Sequence, residues 1–596
     1  MMRPNSIAPT FSRGWLPSGG KLGIFAGLAV LILVMLIPVL GSAYAVSLGS
    51  FLLMWVSIAY AWNLISGYTG YVSLGNTAFF GMGAYASALT YNLLGTSWIA
   101  AVPIAATLVA LICVPIGFIL LRLRGPFFAI GMLGFSEILR IVVNRFPDIT
   151  GGGNGMYLGA PVTPESVYYA FLILAVVAFL ITLAVDRSPF GRHLLAIRDD
   201  EEAATVLGIN TTRAKLIAFT LSAILTAAAG GVFAFFIGYI DGTSVFPIEY
   251  NLIIVLMGVL GGAGTLLGPL LGALTIGTLR ETLWISLPHL YLLFFGIIMV
   301  LTVILVPNGL APLLSKAWRR ITGRRDDANR AGTVVHEMDL SMLDHVEEVV
   351  LNSDVPAIQI EGLEKRYGGL RVINGATFSV RGGSITGLIG PNGSGKTTTL
   401  NLISGVTSLG AGMIHTFGED ITGKPAHVIG NLGIGRTFQL PRLFERMTVS
   451  ENMRIAFPAN ATNKHEDRLR GMLGLVGLDG FEGRVVRNLS FGQRKLLEIA
   501  RVLLRSPKVL LLDEPFAGVN PIVREHLIRL IQSLRSRGLT VLIIGHEIGE
   551  MTALCDEMIV LDKGAVLTSG QPDDVLADPD VFEAYFGTAT AVGSKR

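Results

Sequence analysis

The sequence predicts a polytopic α-helical transmembrane domain of about ten spans, followed by an α/β domain that carries a phosphate-binding P-loop. Three observations lead to this prediction. Of the 596 residues, 51% are hydrophobic and only 15% are charged, whereas average soluble domains carry about 25% charged residues. Residues 22–307 contain few Lys or Asp, whereas residues 316–596 are rich in all charged types. A glycine-rich G-x-x-x-x-G-K-[ST] segment lies in the charged half.

Nine apolar stretches are long enough for helices that cross about 30 Å of hydrocarbon. They are residues 22–40, 44–66, 71–93, 98–122, 126–144, 166–185, 215–240, 250–280 and 290–307. The first stretch is longer than the core of a signal peptide, about 7 to 15 residues, so we expect it to remain as an uncleaved span. Basic residues near span ends are expected on the cytoplasmic side. They are those of the tail 1–21, Arg122, Arg124, Arg187, Arg192, Arg198, Arg319, Arg320, Arg324 and Arg325.

The last part of the membrane half requires an extra crossing. Two crossings between residues 241 and 307 would place the charged half outside the cell. Gly261, Gly262 and Gly264 interrupt the apolar run 251–279. We therefore expect two short segments there and about ten spans in total.

Cysteine substitutions at positions 245, 264 and 285 test this topology. We expect positions 245 and 285 on one side of the membrane and position 264 on the other, because one span separates each neighbouring pair. The measurement is labelling of intact cells and of inverted vesicles with a membrane-impermeant thiol reagent. Labelling of 245 and 285 from opposite sides would show that an upstream span is miscounted.

The composition divides the chain into segments. They are a cytoplasmic tail (1–21), a transmembrane domain (22–315) with a cytoplasmic loop (187–213), a cytoplasmic linker (316–356), an α/β domain (357–588) and a C-terminal tail (589–596). In the linker, Leu340, Leu343, Val346 and Val350 recur at near-helical spacing, which allows a short amphipathic helix. The polar composition favours a solvated tether instead.

Charge and cysteine content exclude other classes of protein. The net charge is only +3 at pH 7, and the basic residues near the membrane cluster at span ends, so nucleic-acid binding is not indicated. The two cysteines, Cys113 and Cys555, lie in different halves of the chain and cannot form a disulfide framework. We interpret both as structural thiols.

The P-loop is the clearest chemical motif. Gly390-Pro-Asn-Gly-Ser-Gly-Lys-Thr397 follows an apolar strand, 385–389, and precedes a helical pattern. The glycines let consecutive backbone N–H groups surround an anion, Lys396 supplies a charge to the terminal phosphates, and Thr397 offers a hydroxyl to Mg²⁺. The predicted contacts with ATP are Gly390, Asn392, Gly393, Ser394, Gly395, Lys396, Thr397 and Thr398.

Two carboxylates follow the hydrophobic strand 509–512. Asp513 and Glu514 therefore lie where a parallel strand ends, which is where α/β domains bind ligands. We expect Asp513 to hold Mg²⁺ through its water shell. We expect Glu514 to orient or deprotonate the water that attacks the γ-phosphate.

The segment Leu489-Ser-Phe-Gly-Gln493 precedes a helical stretch and lies between the P-loop and the carboxylate pair. In this order the motifs resemble those of ABC-transporter ATPases, in which the segment is the signature motif. Ser490, Gly492, Gln493 and a helix N-terminus would form a second anion site. The resemblance implies that this site faces ATP held by a partner ATPase domain.

The resemblance implies roles for further residues. Tyr367, in the stretch Lys-Arg-Tyr-Gly-Gly, is similar to the aromatic residue that stacks on adenine. Gln439, in Arg-Thr-Phe-Gln, is similar to the glutamine that touches Mg²⁺ and senses the permease. His546, after the strand 540–544, is similar to the histidine that contacts the γ-phosphate. The predicted catalytic residues are thus Glu514, His546 and Lys396.

Asn520, a further predicted nucleotide contact, stands in Ala-Gly-Val-Asn-Pro where many ABC ATPases have Asp. This form, the Asp-Ile-Thr-Gly segment 420–423 and the ending Glu-Ala-Tyr-Phe-Gly at 583–587 are similar to the ATPases of branched-chain amino acid importers. The resemblance covers essentially all of residues 357–588.

The membrane half resembles the permeases of the same importers. The segments that carry the resemblance are 67–75, 81–85, 133–140 and 150–155. The small residues between 67 and 85 let helices or substrate approach the backbone closely, and tight helix packing is the alternative explanation for them. In the loop 187–213, Glu202, Ala203, Ala204 and Gly208 match the E-A-A-x-x-x-G segment with which importer permeases dock onto their ATPases.

Glu137 and Arg140 form an ionisable pair within an apolar run. Because they are three residues apart, they lie on one helical face, and such a pair should face the bundle interior or lie near the end of its helix. The sequence leaves open whether the pair is structural or belongs to the transport pathway.

The resemblance implies an ATP-hydrolysing importer subunit of the bacterial inner membrane, with the ATPase domain in the cytoplasm. It would move branched-chain or related amino acids delivered by a separate periplasmic binding protein. Because the P-loop and the signature of one domain cannot contact the same ATP, a second permease and ATPase half is required. It is either a second copy of this chain or, as the family implies, a separate permease and ATPase.

Three alternatives stay open at this point. Relatives with the same pattern handle urea, amides or aromatic acids. An ABC exporter half-transporter also places its membrane domain before the ATPase, but typically with six spans and long cytoplasmic helices. An ATP-gated channel or a regulatory membrane ATPase is the third.

Overall fold

The computed structural model describes residues 20–160, 162–286, 290–306, 309–314, 339–346, 348, 355–457 and 463–586. The chain forms two compact units. The first contains residues 1–199 and 211–325, and the second contains residues 200–210 and 326–596. Residues 200–210 therefore belong to the second unit, although they lie within the predicted membrane domain. The two predicted tails, except residues 20 and 21, the basic cluster 319–325 and most of the predicted linker lie outside the described residues.

The first unit is built from α-helices, because backbone groups in hydrocarbon must be paired within their own segment. The longer helices are Gly20–Met35, Ala43–Trp62, Asn76–Leu94, Trp98–Leu120, Pro126–Arg145, Pro164–Arg187, Thr211–Ile237, Ile248–Gly261, Gly268–Ser286 and Tyr291–Leu305. Shorter helices are Ile37–Leu40, the π-helix Asn63–Gly67, Pro147–Thr150, the 3₁₀ helix Gly152–Asn154, Pro189–Asp199 and Gly242–Val245.

Within the described part of the chain, six segments are long and apolar enough to cross a membrane. They are Ala43–Gly67, Trp98–Leu120, Pro126–Arg145, Pro164–Arg187, Thr211–Ile237 and Gly242–Gly261. The first unit is therefore a polytopic membrane domain. The remaining longer helices lie where the sequence predicts its other spans, and they are shorter or less apolar than these six.

The predicted break in the run 251–279 is confirmed. One helix ends at Gly261 and the next begins at Gly268. Gly262 and Gly264 have φ angles of 113° and 79°, which side-chain-bearing residues adopt at a cost. The turn therefore depends on the glycines that predicted it.

The loops at the ends of these helices sort onto two sides. Arg198 Nη1 donates hydrogen bonds to the carbonyl oxygens of Gly67 (2.5 Å) and Ala263 (3.1 Å), so the turns at 67 and 263 lie beside the end of the loop predicted to be cytoplasmic. At the other ends of the helices Pro164–Arg187 and Thr211–Ile237, strand β1 (Met156–Tyr157) pairs with strand β2 (Tyr239–Ile240). This arrangement agrees with the predicted parity of the spans.

Small residues in the segment 67–85 allow helices to pack closely. A Cβ atom on Gly75 would lie 2.2 Å from the carbonyl oxygen of Met132, and one on Gly83 would lie 2.0 Å from that of Ala227. A side chain at either position would force two backbones apart. Tight helix packing therefore accounts for these glycines.

Within the described residues, the second unit contains ten strands. They are β3 (Ile358–Tyr367), β4 (Leu370–Val380), β5 (Ile385–Ile389), β6 (Ala411–Thr416), β7 (Glu419–Asp420), β8 (Ile434–Arg436), β9 (Val509–Asp513), β10 (Thr540–Ile544), β11 (Glu557–Asp562) and β12 (Ala565–Gly570). A six-stranded sheet has the order β12-β11-β5-β10-β9-β8, and a four-stranded sheet has the order β4-β3-β6-β7. From β11 to β8 the neighbouring strands are parallel.

Helices surround the six-stranded sheet. They are Glu201–Val206, Lys396–Ile403, Ala426–Asn431, Val449–Arg454, Asn463–Leu475, Phe491–Leu503, Pro521–Ser536, Ile548–Leu554, Pro572–Ala577 and Pro579–Phe586, with 3₁₀ turns at Leu340–His345 and Val486–Asn488. Side chains alternate across a strand, so Leu510 and Leu512 enter one hydrophobic core while Val509 and Leu511 enter the other. A strand that is buried on both faces appears in the sequence as a continuous apolar run, and the run 509–512 predicted β9 in this way.

The described part of the linker is docked and not solvated. Residues 340–345 form a 3₁₀ turn, and Val346, 4% exposed, belongs to the core of the second unit. Asp344 forms an ion pair with Arg537, and the backbone N–H of Asp339 donates to the carbonyl of Gly474. The favoured tether was therefore wrong for residues 339–346, because this stretch carries enough apolar surface to bury.

Val346→Asp should release this segment. Burying a carboxylate among apolar side chains costs several kcal/mol. This cost equals or exceeds the free energy that burial of the Val346 side chain contributes to docking. We expect limited chymotrypsin digestion of the assembled protein to cut at Leu340, Met342 or Leu343 at least fivefold faster than in the parent. Glu348→Ala, at an exposed position, is the control, and an unchanged rate in Val346→Asp would contradict the docking.

Candidate functional site

Four predicted site segments meet at one edge of the six-stranded sheet. The P-loop follows β5, Gln439 follows β8, the carboxylate pair ends β9, and His546 follows β10. Because these strands are parallel neighbours, their carboxyl ends lie side by side. The sheet order therefore brings together residues that are more than 150 positions apart in the chain.

The P-loop has the geometry of an anion site. Gly390, Gly393 and Gly395 have φ angles of 146°, 84° and 104°, which turn successive N–H groups toward one point. The helix begins at Lys396, whose Nζ donates to the carbonyl oxygens of Gly390 (2.7 Å) and Pro391 (2.9 Å). Burial lowers the pKa of Lys396, an effect opposed by the nearby carboxylates. Nucleotide phosphates would replace these carbonyls as its partners.

Asn392, Gly393 and Thr397 are exposed, whereas Ser394, Gly395 and Lys396 are buried. Ser394 Oγ is buried and makes no hydrogen bond within the described residues. The loop thus presents its backbone and the Thr397 hydroxyl outward, and Thr398 lies half-buried behind them.

Asp513 is held in place by a buried arginine that the sequence reading did not single out. Arg436 Nη2 lies 3.7 Å from Asp513 Oδ2 and 2.6 Å from Asn401 Oδ1, and its Nη1 donates to Ser404 Oγ at 2.6 Å. Burial lowers the pKa of Arg436 to about 10, and burial raises the pKa of Asp513 while Arg436 opposes that rise. Arg436 therefore ties the carboxylate to the helix that follows the P-loop.

The donor set fits Mg²⁺. Asp513 Oδ1 is buried without a hydrogen-bond partner within the described residues, and Thr397 is near enough to oppose the rise that burial causes in the pKa of Asp513. The described residues hold no cluster of three or more His, Cys, Asp or Glu side chains that could bind a metal ion alone. A carboxylate and a hydroxyl are oxygen ligands of the kind that Mg²⁺ binds, with phosphates and water completing its shell.

Glu514 lies between two other residues of the predicted site, Gln439 and His546. Its Oε2 accepts a hydrogen bond from Gln439 Nε2 at 2.8 Å, and its Oε1 makes a short hydrogen bond with His546 Nε2. Its φ angle is 46°, a strained value for a residue with a side chain. The structure therefore brings Gln439 and His546 into contact with Glu514.

The signature segment caps its helix. Ser490 Oγ accepts from the backbone N–H of Gln493 (3.2 Å), and Gln493 Oε1 accepts from that of Ser490 (2.9 Å), so a capping box starts the helix at Phe491. Gly492 lies in the first turn. The predicted contacts of Ser490, Gly492 and Gln493 with ATP of a partner domain remain predictions.

Three buried charges on this helix hold the loop that contains Gln439. Lys495 Nζ donates to the carbonyl oxygens of Phe438 and Gln439, both at 2.8 Å. Glu498 accepts from the backbone N–H of Arg442 (2.9 Å), and Arg501 donates to the carbonyl of Arg442 (2.6 Å). Burial lowers the pKa of Lys495 and raises that of Glu498. These three residues were not among the predicted site residues, although their i, i+3, i+6 spacing places them on one helical face.

Two other predicted contacts lie on the surface. Tyr367 is 47% exposed at the end of β3, and the Lys365 ammonium lies 5.1 Å from the centre of its ring. Asn520 is the N-cap of the helix Pro521–Ser536, where its Oδ1 accepts from the backbone N–H of Val523 (2.9 Å). Capping explains an Asn at this position, and its predicted nucleotide contact stays a prediction.

The predicted docking segment packs on the second unit. Asp200 caps the helix Glu201–Val206, in which Ala203 and Ala204 are fully buried. Arg442 forms ion pairs with Glu202 and, at 3.6 Å, with Asp200. Arg505 Nη1 donates to the carbonyl of Leu207. The alanines are small because the helix lies directly on its neighbours.

Gly208 ends this segment with a φ angle of 80°. Its carbonyl oxygen accepts from Asn431 Nδ2 at 3.4 Å. A Cβ atom on Gly430 would lie 2.5 Å from the carbonyl oxygen of Val206. The close approach of the docking segment to residue 430 therefore requires glycine at that position.

Tyr585 is a further site residue that the sequence reading quoted only as part of a family ending. Its hydroxyl accepts a hydrogen bond from the backbone N–H of Gly390, the first residue of the P-loop, at 2.7 Å. Gly390 is buried, and burial raises the pKa of Tyr585. The C-terminal helix Pro579–Phe586 thus fixes one end of the phosphate-binding loop.

Tyr585→Phe should weaken ATP binding. An N–H left unpaired in a buried loop costs about 1 kcal/mol or more, so we expect the KM for ATP to rise about fivefold with kcat changed less than twofold. Steady-state ATP hydrolysis by the purified, reconstituted protein measures both constants. Tyr367→Phe, which keeps an aromatic ring, is the control, and an unchanged KM in Tyr585→Phe would mean that the hydroxyl does not position the loop.

Comparison with protein families accounts for both halves of the chain. Residues 44–303 match the family described as "Branched-chain amino acid transport system / permease component". Residues 373–517 match the family described as "ABC transporter".

Curated relatives align over about two fifths of the chain and almost their own full length. The high-affinity branched-chain amino acid transport ATP-binding protein BraF of Pseudomonas aeruginosa is 37% identical over 252 residues, 39% of this chain and 99% of BraF. The probable branched-chain amino acid transport ATP-binding protein LivG of Archaeoglobus fulgidus is 37% identical, with 39% and 95% coverage. The lipopolysaccharide export system ATP-binding protein LptB of Escherichia coli is 36% identical, with 38% and 95% coverage. The chain therefore belongs to the ABC transporters, and it joins a permease of the branched-chain amino acid transport type to an ATP-hydrolysing cassette in one polypeptide.

Proposed function

We propose that the chain is one half of an ABC importer of the bacterial inner membrane that moves branched-chain or related amino acids into the cytoplasm. The observation that carries the proposal is the docking segment Glu202–Gly208. It belongs in sequence to a branched-chain-type permease, and it packs on the ATPase unit. This is the arrangement that an importer permease needs to receive force from its ATPase.

The nucleotide site supplies the driving reaction. Lys396 and the backbone N–H groups of the P-loop hold the β- and γ-phosphates of ATP, and Tyr367 stacks on adenine. Asp513, Thr397 and Gln439 would hold Mg²⁺, which would neutralise charge on the phosphates. Glu514 orients or deprotonates the attacking water, and His546 contacts the γ-phosphate.

A continuous set of contacts runs from Glu514 to the docking segment. Gln439 touches Glu514 at one end of the loop 438–442, and Arg442 at the other end touches Glu202. The buried charges of the signature helix hold this loop at both its Phe438 and Arg442 ends. A change at the γ-phosphate therefore reaches the permease segment through one short, well-supported loop.

A second half completes the machine. Ser490 and Gly492 would close on ATP held by a partner ATPase domain, so the fused chain is inactive as a monomer. The partner is a separate permease and ATPase, as the family implies, or a second copy of this chain. A separate periplasmic binding protein delivers the substrate.

Export is the second candidate direction, because LptB of an export system is nearly as similar to the ATPase part as BraF is. The ATPase half therefore does not set the direction. The match of residues 44–303 to a branched-chain amino acid permease favours import.

Transport by the reconstituted assembly tests the proposal. Proteoliposomes that carry the complete complex receive ATP on the ATPase side and, on the opposite side of the membrane, the cognate binding protein with labelled leucine, isoleucine, valine, urea, amides or aromatic acids. We expect ATP-dependent movement of at least one branched-chain amino acid toward the ATPase side. Movement of urea, an amide or an aromatic acid alone would reassign the substrate. Movement away from the ATPase side would establish an exporter, and ion flux that opens on addition of ATP without movement of any of these substrates would establish a channel.

A further inference from the structure

We propose that the outer face of the helix Pro126–Arg145, which carries the Glu137–Arg140 ion pair, packs against a second permease domain and not against lipid. The inference rests on the two-half assembly of the proposed function, but it does not depend on the substrate or on the direction of transport.

Glu137 lies near the middle of a helix that is long enough to span the membrane. The helix has 20 residues and is therefore about 30 Å long, the thickness of the hydrocarbon core. Glu137 is 11 residues from Pro126 and eight from Arg145, which places it about 17 Å and 12 Å from the two ends. Charged groups at that depth are costly unless they face protein or a water-filled cavity.

The pair points away from the helices of its own chain. The inner face of the helix is fixed by Phe128, Met132 and Ser136, which are buried, and Ser136 Oγ lies 2.7 Å from Thr77 Oγ1. Glu137 shares the opposite face with the exposed side chains of Ile130 and Ile141, one or two helical turns away. The side chains of Arg140 and Glu137 are still 35% and 34% exposed.

Arg140 does not reach for the membrane surface. Its Nε donates to both carboxylate oxygens of Glu137 at 3.0 Å, and Glu137 lies one turn closer to the middle of the helix. An arginine in lipid extends its guanidinium toward the headgroups instead. The pair is therefore arranged for a protein environment.

A neighbouring helix shows the contrast. The helices Trp98–Leu120 and Pro126–Arg145 are similarly peripheral, because only 28% and 22% of their most apolar stretches are buried within the protein. The helix Trp98–Leu120 carries no charged side chain, its exposed Thr107 hydroxyl donates to the carbonyl of Pro103 in its own helix, and Leu111, near its middle, is 67% exposed. Such a surface suits lipid. The face with Glu137 and Arg140 suits a partner that offers polar groups within an apolar surface, which is what a second permease provides.

Site-specific photo-crosslinking tests this assignment. p-Benzoylphenylalanine replaces Ile141 in one sample and Leu111 in the matched control, each within the full complex reconstituted in lipid. We expect position 141 to give a crosslinked peptide from the second permease domain, found by mass spectrometry, at least tenfold more often than position 111. Position 130, on the same face, repeats the test if the variant at 141 does not assemble.

Each other outcome overturns the proposal. Lipid adducts alone at both 141 and 130 would show that the face is lipid-exposed, and crosslinks only within the same chain would show that this chain's own helices cover it. If the crosslink forms but uptake of every amino acid fails, the proposed function falls and the interface stands.

Discussion

Glu514→Gln should abolish ATP turnover and uptake while leaving ATP binding intact. The amide keeps the size of the carboxylate and can still meet Gln439 and His546, but it cannot accept a proton from the attacking water. Loss of a general base lowers rates by about 10² to 10⁴-fold, and we expect kcat for ATP hydrolysis to fall at least 100-fold. The Kd for ATP should change less than threefold, measured by nucleotide binding to the purified complex.

Glu525→Gln is the matched control for this substitution. Glu525 is an exposed glutamate that pairs with Arg529 at 3.3 Å, away from the site, and its loss should leave turnover within twofold of the parent. Turnover above one tenth of the parent in Glu514→Gln would remove the base role from Glu514. Transport that persists without turnover would contradict an ATP-driven mechanism.

Gly430→Val should uncouple hydrolysis from transport. The new Cβ would lie 2.5 Å from the carbonyl oxygen of Val206, and because that atom is backbone, the docking segment must move as a whole. Gly430 belongs to the helix Ala426–Asn431, which contains none of the predicted nucleotide contacts. We expect uptake to fall at least tenfold, because overpacking at this contact costs about 1 to 3 kcal/mol. ATP hydrolysis should stay within about threefold of the parent, because the predicted nucleotide contacts are unchanged.

Gly549→Ala is the control, because a Cβ atom at position 549 meets nothing within 4 Å. Parallel loss of hydrolysis and uptake in Gly430→Val would indicate general unfolding, which thermal denaturation of the ATPase unit would reveal. Normal uptake in a stable Gly430→Val protein would mean that the docking segment does not transmit the movement.

The chemical site was largely predictable because each motif contains its own local cause. The P-loop glycines need positive φ, the carboxylate pair follows an apolar strand, and the Glu202 segment has a fixed E-A-A-x-x-x-G spacing. The break at Gly261–Gly264 was predictable for the same reason, since charge topology required a turn and the glycines permitted one. The prediction of a solvated linker was wrong for residues 339–346. The interrupted apolar pattern of this stretch does not show whether the ATPase unit offers an apolar surface for it to pack on.

The supporting residues were not predictable from motifs. Arg436, Lys495 and Tyr585 act on backbone or carboxylate groups that are distant in sequence, so the motifs that contain Arg436 and Tyr585 do not reveal which groups these side chains hold. Their partners became known only when parallel strand order brought β5, β8, β9 and β10 side by side.

The sequence by itself determined that one chain holds a membrane half and an ATPase half, because hydrophobicity and phosphate-binding motifs are local properties of the chain. The tertiary structure alone decided that Arg442 and Arg505 are the residues that hold the segment 200–210, and that Glu137 and Arg140 pair on the outer face of their helix. Both are matters of which surface is covered by which neighbour. That depends on packing between segments far apart in sequence, which a linear pattern does not encode.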